Sequence, residues 1–385
     1  MIRLREAFVS EVRNQKIASS AMPDDKCIVD EYGFAYKKAE EVRGANEKFW
    51  IKNYKDYEGI YGSYLFKSSN RRNSIDKQSA RSFGEIMAQN IARDLNLDYV
   101  VYMYSCIEKQ DGETLFGTIC PSYKKTKDDV EITGLDITKR YMAKNGISTF
   151  DDKSMELNTV YGYVKQLSNL YGEEIESERL DELKLGLLKC ALFDYCTCQT
   201  DRHWCNLGFL GSNKDGVKNL ELIPLYDNEK CFLSNKPLGW MEVFSNQLLR
   251  SKQNKSNDAI APLLSAFDRV PRLGIKTSTV VLSNDINNAL LPRRPSEDEE
   301  NPFDVFSKEL AGEINENAQL RDFYFQIKSL DIKKTLQDED IPESVRIVAC
   351  NAWNGRIDTL DKVYEQNFGK LVADESYAEE AHDEQ

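Results

Sequence analysis

Five polar residues have types and spacings that chemistry could use. Asp201 and Asn206 stand five positions apart in a polar loop, Gln199–Asn206, which interrupts an apolar helical stripe and precedes an apolar run. Phosphoryl transfer needs a carboxylate beside the attacking hydroxyl and oxygen ligands for Mg²⁺. Asp227 follows the apolar run Leu220–Tyr226 and supplies a further hard oxygen donor of the kind Mg²⁺ takes. Lys67 ends the run Ser63-Tyr-Leu-Phe-Lys67, and Glu85 lies one turn into the periodic segment that follows. A cation on the phosphates, held by an acid on a helix, is what those two could provide. Taken singly, Lys67 is a strand-edge charge and Glu85 a helix cap. Taken in order with Asp201, Asn206 and Asp227, they compose a phosphoryl-transfer site.

Other chemistries find less support. The chain has only two histidines, His203 and His382, so a His-rich metal site or a pair of His acid–base catalysts is excluded. Cys196, Cys198, His203 and Cys205 could be drawn as a zinc site, but the spacing lacks the Cys-x-x-Cys pair that structural zinc sites use. A Cys nucleophile working with His203 leaves the remaining motifs unexplained. Arg71-Arg-Asn-Ser74 and Arg293-Arg-Pro-Ser296 have the form of phosphoacceptor sites, though a solvated loop is the simpler reading.

The elements that must position these residues follow from periodicity. Lys48-Phe-Trp-Ile-Lys52 and Ser63–Lys67, separated by a stretch with Gly59 and Gly62, predict an antiparallel hairpin. Phe83, Ile86, Met87, Ile91 and Leu95 predict a helix over 82–95, with Ser82 and Glu85 at the spacing of a capping box. Strands are predicted at 99–104 and 114–120, and a further helix over 2–19. Leu180, Leu183, Leu187, Leu188, Ala191 and Leu192 form a helical stripe running up to Cys198, followed by strands at 207–210 and 220–226. From about 240 the periods are helical, as in Val345–Gln366, with a Pro- and charge-rich linker at Pro292–Pro302 and an acidic tail from Asp374. The expected fold is α+β and bilobal: an N-lobe over 1–125, a mainly helical C-lobe over 126–370, and a tail over 371–385.

The motifs resemble those of the HipA-like serine/threonine kinases, a family distantly related in fold to protein kinases and phosphoinositide kinases. Val42-Arg-Gly-Ala-Asn-Glu-Lys48 is similar to that family's phosphate loop, and Tyr64-Leu-Phe-Lys67 to its lysine strand. Glu85–Leu97 is similar to the following helix, Asp201-Arg-His-Trp-Cys-Asn206 to the Asp-x-His-x-x-Asn loop, and Pro224-Leu-Tyr-Asp227 to the metal-binding strand. The order agrees over residues 40–235. The resemblance implies that backbone amides of Gly44, Ala45, Asn46 and Glu47 cradle ATP phosphates, which Lys67, braced by Glu85, contacts. It implies that Asp201 orients or deprotonates the acceptor hydroxyl and that Asn206 and Asp227 hold Mg²⁺, while His203 supports the loop. It also implies a Ser/Thr acceptor in a protein, and a toxin-type role with a separate antitoxin or regulatory partner. Two departures stand out. The 41 residues before the loop are too few for the N-terminal subdomain of the longer toxins, and Glu41 stands where those toxins carry an autophosphorylated serine.

Composition bounds the class. The chain has 385 residues, 64 acidic and 51 basic, a formal charge of −13, and 41% of its residues are hydrophobic. A core of ordinary size is affordable, and the acidic balance disfavours a general nucleic-acid binder. There is no run of roughly 18 apolar residues for a membrane span and no secretory signal at the start. Nine scattered cysteines read as reduced thiols in a cytoplasmic protein. Two other readings stay open: a kinase for a small molecule or lipid head group, and a nucleotide-binding pseudokinase acting as a partner-binding module.

Overall fold

The structure, a computed structural model, describes residues 17–18, 28–29, 34–38, 46–53, 63–71, 80–108, 114–124, 128–147, 157–212, 216–253, 267, 271–276, 280–281, 291–292 and 301–371. Its first half is built on a seven-stranded sheet. The strands are β1 (Ile17–Ala18), β2 (Ile28–Val29), β3 (Phe34–Lys38), β4 (Asn46–Asn53), β5 (Ser63–Arg71), β6 (Met103–Glu108) and β7 (Thr114–Pro121). Their order across the sheet is β1-β6-β7-β5-β4-β3-β2. All neighbours are antiparallel except β1 and β6. The predicted hairpin is β4–β5, with Lys48 directly opposite Lys67. Gly117 of β7 lies so close to β5 that a Cβ there would overlap the Lys67 carbonyl; only glycine allows this approach.

One helix, α1 (Arg81–Asp94), packs on that sheet. Its Met87, Ala88, Ile91 and Ala92 are fully buried, as the apolar period requires. The capping box does not form. The helix begins at Arg81 with Ala80 as N-cap and no side-chain cap. Ser82 instead shares a hydrogen bond with Ser69 of β5, and Glu85 is taken by tertiary partners described below. The far end closes with Asn96 in the left-handed region (φ 53°) and a bond from Leu97 N–H to the Ala92 carbonyl. Of the predicted strand at 99–104, Tyr99 makes an isolated bridge to Leu225, and the ladder proper starts at Met103. The helix predicted over 2–19 meets a strand at Ile17–Ala18; its remainder lies outside the described residues.

The second half is helical around a small sheet of β8 (Asp129–Thr133), β9 (Gly208–Ser212) and β10 (Gly216–Leu222), ordered β10-β9-β8. Helices α2 (Gly134–Lys144) and α3 (Val160–Tyr171) lead to α4 (Ser177–Cys196). The predicted stripe is the buried face of α4: Leu187, Leu188, Ala191, Leu192, Phe193 and Tyr195 are all fully buried. Then follow a 3-10 turn (Cys231–Leu233), α5 (Leu238–Gln253), the short strands β11 (Val280–Val281) and β12 (Leu291–Pro292), α6 (Pro302–Glu316), α7 (Ala318–Ser329), α8 (Ile332–Thr335) and α9 (Glu343–Phe368). The 26-residue α9 packs on α4, α5 and α6. Residues 293–300 of the predicted linker and the acidic tail lie outside the described residues.

Candidate active site

The five polar residues converge where the two halves meet. Lys67 Nζ lies 2.8 Å from Glu85 Oε1 and 2.5 Å from Asp227 Oδ1, and Lys67 and Glu85 are 6% and 1% exposed. The other Glu85 oxygen accepts a 2.7 Å bond from the Asn228 backbone N–H, so one carboxylate ties β5 to the residue after Asp227. Gly84 makes this docking possible, since a Cβ there would overlap the Ser234 hydroxyl. Arg81 adds a second tie from α1, at 2.5 Å to Glu229.

The electrostatics follow from burial and pairing. Burial pulls the Lys67 ammonium down, but Asp227 and Glu85 outweigh it together and hold its pKa well above the ordinary lysine value. Burial also pushes against ionised Asp227, yet Lys67 and Lys48 hold its carboxyl well below the usual range. For Glu85 burial prevails over Lys67, and its pKa is raised. Lys48, paired across the hairpin with Lys67 on the same face of the sheet, is a cation that sequence reading did not single out. Like charges directly opposite destabilise a hairpin, so this pair makes sense only beside an anion.

Asp227 is placed by backbone. Leu225 N–H donates to the Asp98 carbonyl at 2.8 Å, and Val100 N–H donates to the Leu225 carbonyl at 3.0 Å. The chain then turns through Asp227 itself, whose φ is 55°. That left-handed conformation is strained for a side-chain-bearing residue and concentrates at functional sites. The Asp227 N–H donates to the Tyr102 hydroxyl at 3.1 Å.

Asp201 and Asn206 sit on the other side of one glutamine. Gln199, fully buried, donates from Nε2 to the Asp227 carbonyl at 3.0 Å and accepts from the Asp201 N–H at 3.0 Å. Asn206 Nδ2 donates to the Asp201 carbonyl at 2.9 Å, closing the six-residue loop on itself. The Asn206 side-chain oxygen and Asp227 Oδ2 have no hydrogen-bond or ion-pair partner among the described residues. Two oxygens of the right chemistry are thereby left for a hard cation. His203 Nδ1 accepts from the Cys205 N–H at 3.1 Å, and burial lowers its pKa, so the ring is a neutral loop support.

Beneath the loop lies a hub that sequence reading passed over. Arg202, 2% exposed, donates from Nε and Nη2 to the two Asp194 oxygens at 3.1 Å each. It also donates to Asn228 Oδ1 at 2.6 Å, the Tyr226 carbonyl at 2.5 Å and the Asn206 carbonyl at 3.3 Å. One guanidinium thus joins α4, the Asp201–Asn206 loop and the segment carrying Asp227. The signal was an aspartate inside the apolar run Ala191-Leu-Phe-Asp-Tyr-Cys196, which needs a buried cation. A cavity of about 150 Å³ reaches Arg202 and Asn206 from behind, between Leu97, Cys190 and Leu225. Lys67, Asp201 and Asp227 do not line it.

Two more cations were not foreseen. Lys230 Nζ pairs with Asp201 Oδ2 at 2.7 Å, and Arg272 Nη1 with Oδ1 at 3.1 Å. Of the phosphate-loop residues, Gly44 and Ala45 lie outside the described residues, as does Glu41, while Asn46 and Glu47 form the start of β4. Cys196 and Cys198 are buried and Cys205 is exposed. Among the described residues, the metal-binding side chains that do cluster are the carboxylates of Glu85, Asp227 and Glu229.

The overall arrangement has counterparts among solved structures. The Helicobacter pylori proinflammatory kinase CtkA superposes with a TM-score of 0.55 at 14% identity, covering 91% of this chain and 97% of its own. The chain has a protein-kinase-like fold. A second similar structure is HipA of Shewanella oneidensis MR-1, solved with HipB and operator DNA, with a TM-score of 0.44 at 12% identity over 94% of this chain and 72% of that one. No protein-family model matches the chain, and no curated protein does. The likeness therefore lives in the fold, α+β and bilobal as expected. Within that fold β5 carries Lys67 and α1 carries Glu85, and both side chains are drawn together with Asp227, which follows β10.

Proposed function

We propose that the chain is an ATP-dependent phosphotransferase, a HipA-like protein kinase that moves the γ-phosphoryl group of MgATP to a Ser or Thr hydroxyl of a protein. The observation that carries this reading is the contact set Lys67–Glu85–Asp227, joined through Gln199 to Asp201 within a kinase-like fold. Lobes over 1–125 and 126–370 with a nucleotide cleft between them follow from the same reading. The backbone around Gly44–Glu47 covers the phosphates, and Lys67 and Lys48 supply positive charge to them.

Asn206 and Asp227 fit Mg²⁺, since each keeps an oxygen without a partner among the described residues. The ion, when bound, neutralises charge that develops on the phosphates. The residues of the chain do the rest. Glu85 holds Lys67 toward Asp227, Gln199 sets the distance between the Asp227 and Asp201 backbones, and Asp201 accepts the hydrogen bond of the acceptor hydroxyl and takes its proton as the oxygen attacks. His203 keeps the loop in shape as a neutral ring. A toxin-type role in the cytoplasm, with a separate antitoxin or regulatory protein as partner, belongs to this proposal and draws on the motif resemblance to the HipA-like kinases.

The test is transfer of label from γ-labelled MgATP to lysate proteins and to the chain itself, comparing wild type with Asp201→Asn. Label on defined proteins with wild type alone supports a protein kinase and delivers its acceptor by mass spectrometry. Absence of MgATP binding by wild type refutes the proposal.

A further inference from the structure

Asp201 is the residue placed to receive the acceptor proton, yet both of its oxygens are occupied. Lys230 holds one and Arg272 the other. Two cationic heads on the two oxygens of one carboxylate stand between it and an approaching hydroxyl. Two cations also face one anion, so this side of the cleft has positive charge to share.

The clamp is built, not adventitious. Arg272 comes from a segment fixed from both sides: Leu273, Gly274 and Ile275 are buried, and Asn158 Nδ2 donates to the Arg272 carbonyl at 2.8 Å. Gly274 forms a bridge with Thr159, with Val160 N–H bonded to its carbonyl at 2.9 Å. This backbone, anchored at the start of α3, brings a guanidinium against the catalytic loop. Lys230 sits three residues beyond Asp227, inside a turn in which Cys231 N–H donates to the Asn228 carbonyl at 3.0 Å. Arg272 is 14% exposed and Lys230 25%, so both side chains keep access to solvent.

We propose that Lys230 and Arg272 bind the terminal phosphate of the nucleotide, and that they rest on Asp201 until that phosphate arrives. The inference rests on the kinase reading above. A terminal phosphoryl group presents several charged oxygens, whereas Asp201 presents one carboxylate, so the cations move to the denser anion. Positive groups on the transferring phosphoryl also stabilise the charge it carries in the transition state. Their departure exposes Asp201 to the acceptor. Nucleotide therefore binds first and acceptor second, and the base is capped while no phosphate is present.

The experiment is calorimetric binding of two probes to the full chain: the Mg²⁺ complex of a non-hydrolysable ATP analogue, and MgADP. For Lys230→Met and Arg272→Met the expected result is a loss of roughly tenfold or more in affinity for the triphosphate analogue, with MgADP affinity nearly unchanged. Arg272→Lys recovers part of the loss. Asp201→Asn, which releases both cations from competition, tightens the triphosphate analogue and leaves MgADP alone. A purely structural role for the clamp would weaken both nucleotides together. Lys230→Met lies at a partly exposed position, so it tests the idea even if Arg272→Met folds poorly. An unchanged triphosphate-to-diphosphate affinity ratio in Lys230→Met, or weaker triphosphate binding in Asp201→Asn, overturns the inference while leaving the kinase reading intact. Wild type that binds neither probe overturns both.

Discussion

Arg202 is the residue whose replacement the structure makes most consequential. Arg202→Met keeps the volume of the stem and removes every donor. It leaves Asp194, fully buried, without its bidentate partner, and breaking a buried pair from one side costs about 3–5 kcal/mol. It also leaves Asn228 Oδ1 and the carbonyls of Tyr226 and Asn206 without this donor. Each buried acceptor left unsatisfied costs about 1–3 kcal/mol, partly recovered where water enters. The expected loss is therefore about 4 kcal/mol or more, a large part of an ordinary stability of ~5–15 kcal/mol. Guanidinium unfolding followed by tryptophan fluorescence reads it as a lower midpoint at unchanged slope. Pairing Arg202→Met with Asp194→Leu separates the ion pair from the rest: the double variant should be more stable than Arg202→Met alone, because an apolar pair replaces an orphaned charge. A loss under about 1 kcal/mol for Arg202→Met, or an additive double variant, would refute the hub. Arg202→Lys keeps the charge without the planar fork, so phosphoryl transfer should fall further than stability does.

Two further outcomes follow from the same geometry. Lys67→Met removes the cation between Glu85 and Asp227 and should cost about 3–5 kcal/mol; adding Glu85→Gln should restore part of the stability but none of the MgATP affinity, which thermal melts with and without nucleotide distinguish. Burial lowers the pKa of His203 below its ordinary 6.5; the folded state then binds fewer protons than the unfolded one across that window, so stability is full above about pH 6.5 and declines below it, by at most about 1.4 kcal/mol per pH unit. His203→Gln should flatten melting temperature against pH between about 5.5 and 7, and an unchanged slope would show that another group titrates there.

How much of the site could be read beforehand depended on the range of the interaction. Asp201 and Asn206, five positions apart, close a loop on itself, and that loop is local chemistry, visible as spacing. Lys67 and Glu85 sit on successive elements, a strand and the next helix, so their pairing was legible from order. The capping box failed for the same reason the pair succeeded: Glu85, drawn into a buried contact with Lys67 and Asn228, was no longer available to cap. Long-range tertiary satisfaction outweighed a local motif.

The sequence by itself determined the periodic elements, the order of the polar residues and the α+β class, because apolar spacing and turn chemistry act over a few residues. Only the tertiary structure decided that Arg202 serves Asp194, Asn206, Tyr226 and Asn228 at once, that Gln199 links Asp201 to Asp227, and that Lys230 and Arg272 pair with Asp201. Each of these contacts neutralises or satisfies a polar group inside a protein interior. A buried charge must find its partner wherever the packed chain brings one, and that partner's position in the sequence carries no period from which to read it.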